Sequence, residues 1–314
     1  MAGILTIAKK EFTDHVSDST FLLIFTILLI VMVAGALYQV ESLQNYRYNV
    51  KYPAWMLDTY MLQLLITYQL SSLGALLALA ISFNSINKER IEGNLKVLLS
   101  YPIYRDKIIL GKLLGGVAAI TVSIITSTAI AFSIVIYELS LPISVDLLLR
   151  IAAVVGMGIV LLTFFLCLGT AVSTTIRDTS TSLLILLIAL GLMQGEPLAM
   201  MLVMISSLAP QFFKAADFLS LQYGANWLRW GTASTPTDIF TYQGYAWLSP
   251  VESYRHLCEN LFRFWTNPRF PLDSSPVTFL EQLSSSVGLA ATPVLFTVAT
   301  FILCYVLFTR RDIA

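Results

Sequence analysis

Residues 84–112 read NSINKERIEGNLKVLLSYPIYRDKIILGK, a short charged stretch between two long apolar runs. Six of the chain's 19 Lys and Arg residues lie in it: Lys88, Arg90, Lys96, Arg105, Lys107 and Lys112. A basic loop between membrane spans is typical of the cytoplasmic side. Its order, with a charged cluster, then Gly93 and an apolar stretch, predicts a short helix across the inner membrane face. Such a segment is suited to docking a soluble partner.

Composition and charge place the chain among polytopic membrane proteins. Of its 314 residues, 57% are hydrophobic and only 12% are charged. Soluble domains carry roughly 25% charged residues, about twice this fraction. Because the formal net charge is zero, nothing indicates nucleic acid as a partner. The first apolar run is too long for the core of a signal peptide, so we expect it to remain as a membrane anchor.

Six apolar runs have the length of about 20 residues that a membrane span needs. They are residues 21–40, 61–83, 113–137, 147–172, 183–201 and 287–308. We therefore predict an all-α polytopic membrane protein with six transmembrane helices, forming a single transmembrane domain over residues 1–314.

The basic residues predict how these spans are oriented. The inner segments would be residues 1–20, 84–112, 173–182 and 309–314, which carry most of the 19 Lys and Arg residues although the outer segments are longer. By the positive-inside rule, both termini then lie in the cytoplasm, in a multi-pass protein of the plasma membrane.

The N-terminal segment has a helical pattern of its own. Ile4, Leu5, Ala8 and Phe12 recur at helical spacing, which predicts an amphipathic helix lying in the inner interface over residues 1–20. The alternative is a simple cytoplasmic extension of the first span.

The extracytoplasmic segment 202–286, between the fifth and sixth spans, is too long for a plain connector. Ser249-Pro250-Val251-Glu252 combines a Ser cap, Pro at the first helical position and Glu three residues after the cap. This pattern predicts an amphipathic helix over residues 250–265. It would either cover an outer vestibule or pack on the membrane surface.

No catalytic or metal-binding constellation stands out in the sequence. The two histidines, His15 and His256, are predicted on opposite sides of the membrane and cannot share a metal or a triad. Cys167, Cys258 and Cys304 are scattered without CxxC spacing. The sequence has no GxxxxGK[ST] phosphate loop. We expect no catalytic residue, metal or cofactor in this chain.

Two polar sites remain as weaker candidates. Gln194 and Glu196, in GLMQGEP near the outer end of the fifth span, are weak candidates for a substrate path, since polar groups inside a membrane are costly. A solvated helix end is the alternative. The short inner loop 173–180, STTIRDTS, presents Arg177 and Asp178 as a second contact point, or forms only a polar turn.

Taken together, these features resemble the permease subunits of the type-2 family of ABC transporters, an exporter class. The inner stretch matches the family run E-R-x-x-G-T-L…L-L-S-x-P-x-x-R…G-K at Glu89-Arg90, Gly93, Leu95, Leu98-Leu99-Ser100, Pro102, Arg105 and Gly111-Lys112. Asn94 stands where the family commonly has Thr, and Lys10-Glu11-Phe12 ahead of the first span is also typical. Among branches, the chain is most similar to the permease of the system that matures the copper site of nitrous oxide reductase, which leaves its cargo unassigned.

The resemblance implies a permease that couples ATP hydrolysis by a separate ATPase subunit to export. ATP and Mg would be bound by that ATPase, in two copies, and a second permease, identical or homologous, would complete the transporter. Residues 1–20 would be the connecting helix and 84–112 the coupling loop. The implied ATPase-coupling residues are Glu11, Lys88, Glu89, Arg90, Gly93, Leu98, Pro102, Arg105, Arg177 and Asp178.

Two other hypotheses stay open. In the first, ATP-driven motion is delivered through residues 202–286 to an outer-side protein without bulk transport. In the second, the chain is a stand-alone membrane enzyme, which the lack of paired carboxylates or of a His-based site disfavours.

Overall fold

The computed structural model describes residues 2–49, 67, 69–91, 105–139, 144–176, 178–194, 249–262 and 279–310. All regular structure in these residues is helical. The first half contains α1 (Ala2–Ser17), α2 (Ser19–Asn49), a π-helical turn (Leu70–Gly74) that continues into α3 (Ala75–Ser82), α4 (Asn87–Ile91) and α5 (Arg105–Leu139). The second half contains α6 (Val145–Thr175), α7 (Thr179–Gln194), α8 (Pro250–Phe262), α9 (Phe279–Ser285) and α10 (Val287–Arg310).

Within the described residues, five helical stretches are long and apolar enough to cross a membrane. They are Ser19–Tyr38, Leu70–Ile91, Asp106–Glu138, Val145–Thr175 and Val287–Arg310. The predicted span over 183–201 overlaps α7, an apolar helix of 16 residues. Residues 195–201 of that prediction lie outside the described residues. The chain is therefore an all-helical, multi-pass membrane protein.

The third long helix begins earlier than the sequence predicted. We expected this span to start at residue 113, but α5 is helical from Arg105, inside the stretch expected to be a loop. Ile108 and Ile109 are fully buried in the first turns, which explains the early start, since their burial favours helix over exposed loop. Asp106 in the first turn also suits a helix N-terminus.

Helix α6 lies at the centre of the bundle and packs against α3, α5, α8 and α10. Its contact with α10 is the most extensive, with Phe164 and Phe296 in an edge-to-face arrangement at 6.1 Å between ring centroids. Small residues let α6 approach the second span closely, because a Cβ at Gly74 would lie 3.0 Å from Leu162 Cδ1. A Cβ at Gly158 would lie 3.1 Å from Leu70 Cδ1. Such small residues are typical of contacts between membrane helices.

The two ends of the bundle carry different short helices. We call the end with α1 and α4 the inner end and the end with α8 and α9 the outer end. At the inner end, α1 lies along the start of α5, and α2 follows it after Asp18. The predicted N-terminal helix is therefore present over Ala2–Ser17.

At the outer end, α8 begins as the sequence predicted. The Ser249 hydroxyl accepts a hydrogen bond from the Glu252 N–H at 3.4 Å, and Pro250 is the first helical residue. The helix does not lie on a surface, since Tyr254, Leu257 and most of its other residues are buried. It is inserted among α6, α7, α10 and the π-helical turn.

Candidate functional site

A buried ion cluster joins three separate parts of the chain at the inner end. Lys112 Nζ in α5 lies 3.1 and 3.0 Å from the two carboxylate oxygens of Glu11 in α1. The same ammonium lies 2.7 Å from Glu89 Oε1 in α4. The side chains of Lys112, Glu11 and Glu89 are 6%, 8% and 14% exposed. We call this group the inner triad.

The inner triad contains two carboxylates for one ammonium. Glu89 Oε2 is buried and has no hydrogen-bond partner within the described part of the chain. Removing the ammonium would leave two carboxylates in a poorly solvated place, and an uncompensated buried charge typically costs about 3–5 kcal/mol. The positions of α1, α4 and α5 are therefore coupled through Lys112.

Two glycines of α5 allow α1 to come close enough for this pairing. A Cβ at Gly111 would lie 2.5 Å from Ile7 Cγ2, and one at Gly115 would lie 2.6 Å from Glu11 Cβ and 2.8 Å from the Ala8 carbonyl oxygen. Residues four apart share one face of a helix, so Gly111 and Gly115 form a single flat contact strip. Any larger side chain there would separate the two helices.

The inner segment 84–112 is hydrogen-bonded to the start of the inner segment 173–182. The Ser173 hydroxyl accepts hydrogen bonds from the N–H groups of Ile86 and Asn87, each at 3.3 Å. Arg90 Nη2 donates to the Thr174 carbonyl at 3.5 Å and Nη1 donates to Asn87 Oδ1 at 3.0 Å. The structure thus brings together the two inner segments that the sequence pointed to.

Helix α4 presents its remaining surface to solvent. Lys88 is exposed, and Ile91 is 75% exposed, which is unusual for an isoleucine in a segment so well anchored. These two side chains form the free face of the inner segment.

Asp178 caps the N-terminus of α7. Its carboxylate accepts the Thr181 N–H at 2.8 Å and the Thr181 hydroxyl. These hydrogen bonds lower the pKa of Asp178 below its usual value. The side chain is fully exposed and acts as a helix cap.

His15 lies beside the inner triad. A cavity of about 10 Å³ is lined by His15, Glu11, Lys112, Ser85 and Thr170, among others. This is about the space that one water molecule needs. Burial lowers the pKa of His15 below its usual value, although the charge of Glu11 opposes the shift. The imidazole is therefore neutral at neutral pH.

Gln194 is buried at the outer end. Its Nε2 donates to the Ser71 carbonyl at 2.8 Å, and its Oε1 accepts from Arg255 Nη2 at 3.1 Å. Arg105 begins α5. Gly93, Leu98, Pro102, Arg177 and Glu196 lie outside the described residues.

Three residues in these contacts were not singled out by pattern: Lys112 as an ion-pair partner, Ser173 as a double acceptor, and Arg255. One signal was present in the sequence, the spacing of Gly111 and Gly115 around Lys112, which indicates close helix packing. The identity of the helix that packs there does not follow from it.

The family model described as ABC-2 family transporter protein matches residues 5–313. The chain belongs to the ABC-2 transporter family. A search of the curated proteins found no match to it. The expected ABC-type permease is thus confirmed, and an ABC-2 permease is a membrane transport component that is not itself catalytic. Membership in this family implies an ATPase partner. The inner triad therefore belongs to an ABC-2 permease that works with a separate ATPase.

Proposed function

We propose that this chain is the permease of an ABC exporter and that its inner triad passes motion from an ATPase to the membrane helices. The observation that carries this proposal is that one buried ammonium, Lys112, holds α1, α4 and α5 together. Lys88 and Ile91 on the free face of α4 would contact the ATPase. Arg105 at the start of α5 would extend that contact, together with four residues outside the described parts of the chain, Gly93, Leu98, Pro102 and Arg177.

The geometry supports rigid transmission. A displacement of α4 is carried to α5 through Glu89 and Lys112, and to α6 through the hydroxyl of Ser173. It is carried to α1 through Glu11. Since the paired side chains of Lys112, Glu11 and Glu89 are buried and held by one another, ATP-driven closure of two ATPase subunits would shift the spans between two packed arrangements.

The transporter would contain two permeases, either two copies of this chain or one copy with a homologue. An apolar surface on α7 supports a further helix partner or lipid, since Leu184, Leu187 and Ile188 are exposed there along an open groove. Both termini would lie in the cytoplasm, with ATP and Mg bound by the ATPase.

A second function is favoured by the position of α8. This helix belongs to the outer segment and is inserted among the outer ends of α6, α7 and α10. Motion of the spans would therefore reach residues 202–286 directly, and an outer-side protein bound there could be moved without bulk transport.

The test is a charge swap within the triad. We expect Glu89→Lys and Lys112→Glu, each alone, to abolish coupling between the permease and ATP hydrolysis in the purified complex. The double variant restores an opposite-charge pair and should recover most of it. Lys10→Glu is the matched control, because Lys10 pairs with Asp14 at an exposed site, with side chains 60% and 58% exposed. Wild-type coupling in both single variants, with the ATPase still bound, would refute the role of the triad.

A further inference from the structure

The second span contains a helical irregularity with a specific cause. Residues Leu70–Gly74 form a π-helical turn, and the Ala75 N–H donates to the Ser72 carbonyl. In an α-helix, the Ala75 N–H would donate to the Ser71 carbonyl instead. Here that carbonyl is taken by Gln194 Nε2 at 2.8 Å. The amide of α7 thus replaces the donor that an α-helix would supply.

Arg255 of α8 holds this amide in place. Its Nη2 donates to Gln194 Oε1 at 3.1 Å and its Nη1 to the Gln194 carbonyl at 3.2 Å. Its Nε donates to the Ser71 hydroxyl at 3.3 Å. Its Nη1 also donates to the carboxylate of Glu252 on the same helix, at 3.0 Å. We call Arg255, Gln194 and Ser71 the outer latch.

Burial makes the outer latch sensitive to the position of α8. The Arg255 side chain is 5% exposed and Ser71 is fully buried, so the hydrogen bonds within the latch are shielded from solvent. The other end of α8 is tied by Arg150 of α6, which donates to the Leu261 carbonyl and to Gln282 Oε1. Arg150 also pairs with Asp146 on its own helix at 2.6 Å.

We propose that the outer latch keeps the outer end of the permease closed and that the π-helical turn is its two-state element. When α8 withdraws Arg255, Gln194 loses its orientation and the Ser71 carbonyl is freed. The Ala75 N–H can then take that carbonyl, and the turn becomes α-helical. A π-turn holds one residue more than an α-helical turn. When that residue is wound into a regular α-helix, the residues before the turn rotate by about 100° relative to α3.

This inference rests on the proposed function, because transport requires the outer end to open. It assigns the opening to one place, the junction of α8, α7 and the second span. A π-turn inside an α-helix is often found at functional sites. Here Gln194 Nε2 and the Ala75 N–H are two donors that can compete for the Ser71 carbonyl.

Cys258 on α8 is a native reporter for the latch. It is fully buried, and burial raises the pKa of its thiol to about 12, so it should resist alkylation while α8 is seated. The experiment measures the rate at which a hydrophilic maleimide labels Cys258 in the complex with its ATPase in nanodiscs, read by mass spectrometry. Labelling is compared at rest and after trapping with ATP and vanadate.

We expect slow labelling at rest and labelling about tenfold faster or more in the trapped state. Arg255→Met should be labelled at the faster rate already at rest, since it removes hydrogen bonds made by a charged group. Gln194→Leu should act in the same direction and tests the latch even if the Arg255 variant fails to fold. His256→Gln is the control, on the same helix but outside the latch, with its hydrogen bond to Glu259 made along α8.

The outcomes separate the latch from the transporter assignment. A chain that purifies without any ATPase would overturn the proposed function, while resting labelling of the two latch variants would still test the latch. Protection of Cys258 at the wild-type level in both variants would overturn the latch. Unchanged protection after trapping, in a complex that hydrolysed ATP before vanadate was added, would overturn it as well.

Discussion

The inner triad and the outer latch each surround one buried cation, but they hold it in different ways. Lys112 is held by two carboxylates, Glu11 and Glu89. In the contacts described above, Arg255 pairs with one carboxylate, that of Glu252, and hydrogen-bonds to neutral oxygens of Gln194 and Ser71. Separating opposite charges in a poorly solvated place is far less favourable than exchanging neutral hydrogen bonds. This contrast predicts that the inner end stays joined while the outer end opens.

The largest expected effect is on stability, from removing each cation in turn. Lys112→Met should destabilise the chain by about 3–5 kcal/mol, because Glu11 and Glu89 lose the buried ammonium that they share. Arg255→Met should cost about 1–3 kcal/mol, because the groups of Gln194 and Ser71 that it leaves are neutral. Thermal unfolding of the purified chain in one detergent measures both. Equal losses in the two variants would remove the contrast between the two ends.

Replacing a glycine of the contact strip, Gly111 and Gly115, by a larger residue should separate α1 from α5 without changing any charged residue. In Gly115→Leu, the new side chain cannot fit against Glu11 and Ala8, so α1 should detach from α5, with a loss of about 1–3 kcal/mol as for other overpacked contacts. Protease sensitivity of residues 1–20 is the measurement. Gly156→Leu is the control, since a Cβ at Gly156 meets nothing within 4 Å. Equal resistance in both variants would show that close approach is not required.

The smallest expected effect is a pH dependence confined to the inner end. The pKa of His15 is lowered in the folded chain, so the unfolded chain binds the proton more readily. The contribution to stability is complete above the unfolded pKa, about 6.5, and is lost as pH falls through that value toward the folded pKa.

The pH effect can be assigned by replacing the histidine. The groups that face it are Glu11, Asp14 and Asp18 on its own side and Lys112 from α5. His15→Gln should flatten the fall in unfolding temperature between pH 7 and pH 5, compared with the unsubstituted chain under the same conditions. An unchanged slope in the His15 variant would exclude this residue as the titrating group.

Much of the fold follows from local patterns, and the site follows from them only in part. The helix start at Ser249 was predictable because the capping hydroxyl and the Glu252 N–H that donates to it lie within one turn. The apolar face of α8 was predictable from periodicity, but the burial of Arg255 was not, because its partner Gln194 belongs to a distant span. In the same way, the sequence marked Glu11 and Glu89 separately and could not show that one lysine joins them.

The glycine strip on α5 also sets an order for building the molecule. Helix α1 is made before α5, yet the surface that receives it is not complete until Gly115 has been synthesised and its helix inserted. Until then, helix α1 has only the membrane interface for its apolar side chains. Helix α1 therefore reaches its final place only after α5 has been made, and Glu11 meets the Lys112 ammonium only at that moment.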